Sequence, residues 1–140
     1  MFAACCKRGL PLLLVLAPVV RAELVLEDAW VRAVPPNART TAAYFVIRNA
    51  AAEDAVLTRV RSPVAGAAEM HDWVERDGVK RMVRQMSVTV PAGGEVAFQS
   101  GGKHVMLFRL DPVPAAGSQV SLCVGTEQQE VCANADVRMP

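Results

Sequence analysis

Reactive side chains are scarce in this sequence, and only two histidines, His71 and His104, stand in its 140 residues. They form no Ser/His/Asp set and no His/Glu metal motif, which removes the common routes to hydrolysis, and no enzyme is expected. Cysteine is equally thin after the first 22 residues, with Cys123 and Cys132 alone. Their spacing is not Cys-x-x-Cys, so a thioredoxin-like redox role has no support. No helical period persists beyond two turns, and no repeat, low-complexity tract or linker is visible. Positive charge is not in excess either. Without Lys7, Arg8 and Arg21, the chain keeps 12 of its 15 Lys+Arg against 14 Asp+Glu, a net charge of −2. That balance argues against nucleic acid or an anionic membrane as a partner.

What is present begins with a leader. Residues 1–22 have the pattern of a secretory signal peptide, with Lys7 and Arg8 ahead of an apolar run from Leu10 to Val20. Val20-Arg21-Ala22 then offers small residues at the positions signal peptidase inspects. The run is too short for a bilayer core of about 30 Å, and Pro11 and Pro18 weaken it as a helix. An uncleaved anchor is the alternative. Cys5 and Cys6 precede the apolar run, so a lipoprotein cleavage site does not fit. The expectation is an exported domain over residues 23–140, with no membrane span after cleavage.

An apolar fraction of 52% suits one globular domain. Short apolar runs alternate with turn residues: 23–34, 41–48, 55–60, 68–74, 79–83, 87–90, 95–99, 103–110, 119–124 and 131–137. Ala51–Asp54 is the one candidate for a short helix. Seven to nine short strands with turns every eight to twelve residues predict an all-β Greek-key barrel or sandwich. Asp77-Gly78, Pro91-Ala92-Gly93-Gly94 and Glu127-Gln128 each signal a hairpin. If Glu127-Gln128 is a two-residue loop, Cys123 falls opposite Cys132 at a non-hydrogen-bonded pair. Cα atoms there approach to about 4.5 Å, within disulfide range. Two buried free thiols are the competing reading.

Both histidines have methionine nearby: Met70 precedes His71, Met106 follows His104 by two, and Met82 and Met86 lie between. Imidazoles with thioethers form a soft donor set that suits Cu(I) and suits Zn²⁺, Ca²⁺ or Mg²⁺ poorly. Thioethers also escape oxidation to disulfides in an exported protein. With Asp77-Gly78 as the turn, Arg76 pairs with Val79, Glu75 with Lys80, Trp73 with Met82 and His71 with Arg84. His71, Trp73 and Met82 then share a face, and Met82 is the diagonal neighbour of His71. A three-residue turn would throw Met82 to the other face. Met70 falls on the opposite side of its strand and is assigned to core or rim. Met86 is assigned to core filling, as are Tyr44 and Trp30. Val79 and Val83 lie across the strand from Met82, which leaves that thioether outward among Arg81 and Arg84. His104 and Met106 share one face after Gly101-Gly102. Trp73 either shields a bound ion or covers the sheet.

The spacing His71, ten residues, Met82, 21 residues, His104-Val105-Met106 resembles the ligand pattern of the periplasmic copper chaperones called PCu(A)C. Asp28-Ala29-Trp30-Val31-Arg32, Pro35-Pro36, Ala42-Ala43-Tyr44-Phe45 with Asn49, Val90-Pro91-Ala92-Gly93-Gly94 and Gly101-Gly102 extend the resemblance along the chain. It implies a cupredoxin-like β-barrel that binds Cu(I), one per chain, through His71, Met82, His104 and Met106. It also implies a periplasmic location and delivery to a copper-accepting protein: a cytochrome c oxidase subunit with its CuA centre, or another copper chaperone. The cysteine hairpin lies outside that pattern. No Met/His-rich C-terminal tail is present, so no second Cu(II) site is expected. Copper sequestration or resistance is the alternative function. An electron-transfer cupredoxin is a weaker one, because it needs a thiolate ligand with a nearby histidine.

Overall fold

The computed structural model describes residues 23–140, so the leader lies outside the described residues. Among those described, none is helical, and Ala51–Glu53 is a bend. Eleven strands form: β1 Leu24–Arg32, β2 Thr40–Asn49, β3 Ala55–Leu57, β4 Arg59–Arg61, β5 Ala65–Arg76, β6 Val79–Gln85, β7 Val88–Val90, β8 Glu95–Phe98, β9 His104–Leu110, β10 Gln119–Gly125 and β11 Glu130–Arg138. Nine of them make one sheet in the order β4-β10-β11-β1-β2-β9-β5-β6, with β8 also on β2, while β3 and β7 pair separately. The large sheet does not close on itself, so of the barrel or sandwich expected the architecture is the sandwich.

Strand count and one connection differ from the sequence reading. The run 55–60 is two strands, because Ala55–Leu57 pairs with β7 while Arg59–Arg61 turns to pair with β10. Val88–Val90 and Glu95–Phe98 are not a hairpin. The Pro91–Gly94 turn, closed by Gly94 N–H donating to Pro91 O, sends β7 to β3 and β8 to β2. Alternation in β1 breaks where Asp28 takes a positive φ of 51° and a bulge inserts one residue opposite β2. Leu24 and Leu26 face inward before the bulge and Val31 after it, so one short strand serves the core along its length.

That core is aliphatic with one aromatic pair. Phe45 and Phe98 stack with centroids 4.4 Å apart, among Leu24, Ile47, Leu57, Leu107 and Leu122, all buried. Met70 is 3% exposed and belongs to this core. Two other assignments fail. Met86 is 72% exposed, at the bend between β6 and β7. Trp30 is only half-buried, on the outer face of the sheet against Tyr44 at 4.5 Å, with the Arg138 guanidinium 4.7 Å from its ring centre.

The last hairpin carries a disulfide. Cys123 pairs with Cys132 in the β10–β11 register, Thr126 N–H donates to Gln129 O, and the two Cα atoms are 4.0 Å apart. Cys123 is buried and Cys132 exposed. Arg61, opposite Cys123 on β4, holds the Glu130 carboxylate on β11 and so ties the third strand to the stapled pair.

Candidate metal centre

Four strands, β2, β9, β5 and β6, lie side by side, and their registers fix which side chains meet on the outer face. His71 pairs with His104 across β5–β9, Glu69 with Met106, and Met106 with Ala42 on β2. On the other side of β5, Trp73 pairs with Met82 and His71 with Arg84, the pairing expected of a two-residue turn. Asp77 and Gly78 take φ of 53° and 75°, as a type I′ turn requires at both central positions. Side chains alternate along each strand, so Glu69, His71, Trp73, Met82, Arg84, His104 and Met106 share this face. Val105, Leu107 and Met70 point the other way, into the core.

The four expected ligands are brought to one region and are not equivalent. Met82, His104 and Met106, with Trp73, line a cleft of about 460 Å³ whose far wall includes Arg32, Tyr44 and Ser100. His71 does not line this cleft; its ring centroid is 5.9 Å from that of His104. Met82 and Trp73 are each 43% exposed, while His104 is 5% exposed. The centre is therefore shallow at its thioether edge and buried at its imidazoles. Val79 and Val83, on the other face of β6, are exposed as well, because this end of the hairpin has no second layer behind it.

Hydrogen bonding sets the proton positions. His104 Nδ1 lies 2.8 Å from Gly102 O, which can only accept, so Nδ1 carries the proton. Gly102 is placed by a tight turn in which Gly101 has φ 84° and Gly102 N–H donates to Gln99 O. The other nitrogen, Nε2, then has a bare lone pair, and 3.1 Å away is the Met82 sulfur, itself an acceptor. Two lone-pair donors thus face each other with no proton between them. His71 Nε2 is 3.0 Å from Glu69 Oε2, Glu69 Oε1 is 3.2 Å from Arg84 Nη1, and His71 Nδ1 is buried without a partner. An unpaired buried nitrogen costs roughly 1–3 kcal/mol. Facing donors and an orphaned imidazole nitrogen are what a soft cation would satisfy, so the residues fit a metal of that class.

Sequence reasoning missed Glu69, Arg84 and the Gly102 carbonyl. Glu69 was findable, since it lies two residues before His71 and hence on the same side of a strand. Arg84 was already opposite His71 in the expected register. The Gly102 contact depends on the turn's backbone conformation, which composition does not specify. Lys103 Nζ, 2.9 Å from Asp72 Oδ2, adds a further tie between β5 and the start of β9. A second donor cluster, Cys123, Glu130 and Cys132, lies within 4.8 Å, but its sulfurs are joined to each other.

An open β-sandwich with this arrangement has the fold of PCuAC domains. The copper-bound PCuAC domain of PmoF2 superposes with TM-score 0.71 at 22% identity, covering 84% of this chain and 94% of that domain. DR1885 from Deinococcus radiodurans in its apo form matches with TM-score 0.65 at 25% identity, covering 100% of this chain and 95% of that one. Its Cu(I) form gives 0.60 at 28%, covering 81% and 76%. The chain belongs to the LpqE-like family, described as "Putative lipoprotein LpqE-like", whose profile matches residues 24–137. It is also 30% identical over 98 residues to "Putative lipoprotein Lxx21020" of Leifsonia xyli subsp. xyli, a match covering 69% of this chain and 58% of that relative.

Proposed function

We propose that this protein is an exported Cu(I) carrier whose His71, Met82, His104 and Met106 hold one ion and pass it on by ligand exchange. One observation carries the reading: the His104 Nε2 lone pair meets the Met82 thioether at 3.1 Å with the ring proton committed elsewhere. The Cu(I) form of DR1885, at 28% identity, gives the same reading support from a related chain. The thioether edge is open, so an acceptor's thiolate can replace Met82 first and the imidazoles afterwards, each step moving the ion to a stronger Cu(I) donor. Delivery to the CuA centre of cytochrome c oxidase is the destination we propose, and the periplasm the location; the leader that would direct export lies outside the described residues. The family's description names a lipoprotein, whereas in this chain Cys5 and Cys6 precede the apolar run instead of following it.

An electron-transfer role fits less well. Both described cysteines are spent in a disulfide on β10 and β11, separated from β9 in the sheet by β1 and β2. A Cu(I) competition titration tests the proposal on wild type, Met82→Ala and His104→Ala. Expected are one equivalent bound by wild type and affinity reduced by at least tenfold in each variant, with the fold retained. A wild type that binds no Cu(I) under reducing conditions, or variants that bind as tightly as wild type, would contradict it.

A further inference from the structure

The two imidazoles of the centre are held by different partners through different ring atoms. His104 gives its Nδ1 proton to Gly102 O, 2.8 Å away, leaving Nε2 bare. His71 has Nε2 at 3.0 Å from Glu69 Oε2. An ionised carboxylate can only accept, so at neutral ring charge the His71 proton is on Nε2 and the lone pair on Nδ1. That Nδ1 is the atom left buried without a partner. The other carboxylate oxygen is paired with Arg84 at 3.2 Å, and Arg84 stands opposite His71 in the β5–β6 register. Glu69 is a quarter exposed and His71 about a tenth, so this contact is shielded from water more than a surface pair.

We infer that Glu69, braced by Arg84, is a positioning residue that fixes His71 in the Nε2–H tautomer and offers Nδ1 to the ion, while the Gly102 carbonyl fixes His104 in the opposite tautomer and offers Nε2. This rests on the copper-carrier reading for its purpose, but not for its geometry. Removing the partner that orients a metal-bound imidazole typically lowers metal affinity about 10–100-fold. The arrangement places a charged, salt-bridged brace on His71 and only a neutral carbonyl on His104.

Long-range ¹H–¹⁵N correlation spectra of the copper-free protein, taken where both rings are neutral, test this without any metal. The expected result is Nε2–H at His71 and Nδ1–H at His104. Glu69→Ala should leave His71 in mixed tautomers with His104 unchanged, and lower Cu(I) affinity about 10–100-fold. Glu69→Gln, whose amide oxygen still accepts from Nε2–H, should restore the single tautomer and most of the affinity. Arg84→Ala should fall between wild type and Glu69→Ala. Nδ1–H at His71 in the wild type, or Glu69→Ala with unaltered tautomer and affinity, overturns the inference. A wild type with the opposed tautomers that binds no Cu(I) contradicts the carrier reading while supporting the role of Glu69.

Discussion

Met82 is the residue on which the centre turns. A thioether that is 43% exposed on an edge strand contributes little to packing. Its replacement by alanine should leave unfolding free energy within about 0.5 kcal/mol of wild type, the range for exposed positions. Chemical denaturation of the copper-free protein checks this, and a loss of several kcal/mol would mean that Met82 is core. Its place beside His104 was legible because the spacing to His71 and to His104-Val105-Met106 is visible in the sequence. Met86 was not legible, since a methionine in a β-protein reads as core filling, and its exposure comes from the bend that separates β6 from β7. Trp30 misled for a related reason: the bulge at Asp28 turned it to the outer face.

The β5–β6 hairpin is the element that brings Met82 to the histidines. Its turn has positive φ at both Asp77 and Gly78, where an L side chain costs roughly 1–2 kcal/mol. Gly78→Val should therefore destabilise the hairpin by about that amount. It should also weaken Cu(I) binding, because a slipped register moves Met82 away from the face of His71. A titration showing full affinity would indicate that the register is held elsewhere. Short turns such as Asp77-Gly78 and Glu127-Gln128 announce their registers, and both hairpins pair as counted from the sequence. Pro91–Gly94 announces only a turn. Whether the flanking strands pair with each other depends on which edges of other strands are free, which is a property of the whole fold.

The β4–β10–β11 edge has its own two ties. Closing the short Cys123–Cys132 loop stabilises by roughly 2–3 kcal/mol in the chain-entropy model. The double Cys→Ser variant should lose about that much in denaturant unfolding and keep its Cu(I) affinity. The hydrogen bond from Arg61 holds the Glu130 carboxyl below the usual carboxylate range. A depressed folded-state value stabilises above the unfolded-state value, and the gain disappears as pH falls through the lowered one. Arg61→Ala should therefore flatten the acid limb of a stability-against-pH curve, its loss of stability being present above the carboxylate range and vanishing at acid pH. A steeper acid limb in the variant would contradict the pairing.

At the scale of the molecule, scaffold and centre are separable. The inner faces of the sandwich carry Phe45, Phe98 and the aliphatic core, while the donors sit on the outer face of β5, β6 and β9. The all-β class was readable because turn residues recur throughout, and the open edges were not, because closure depends on how far the sheet coils. Phe45→Ala should cost roughly 3–5 kcal/mol, as buried aromatics do, without altering the donor set.

X-ray absorption at the copper edge of the Cu(I)-loaded protein tests the central claim most directly, because it reports the atoms bound to the ion. Expected is a mixed shell of two nitrogen and two thioether sulfur neighbours, with one sulfur lost in Met82→Ala. A shell of oxygen and nitrogen alone, or one unchanged by that substitution, would contradict a Cu(I) centre built from His71, Met82, His104 and Met106.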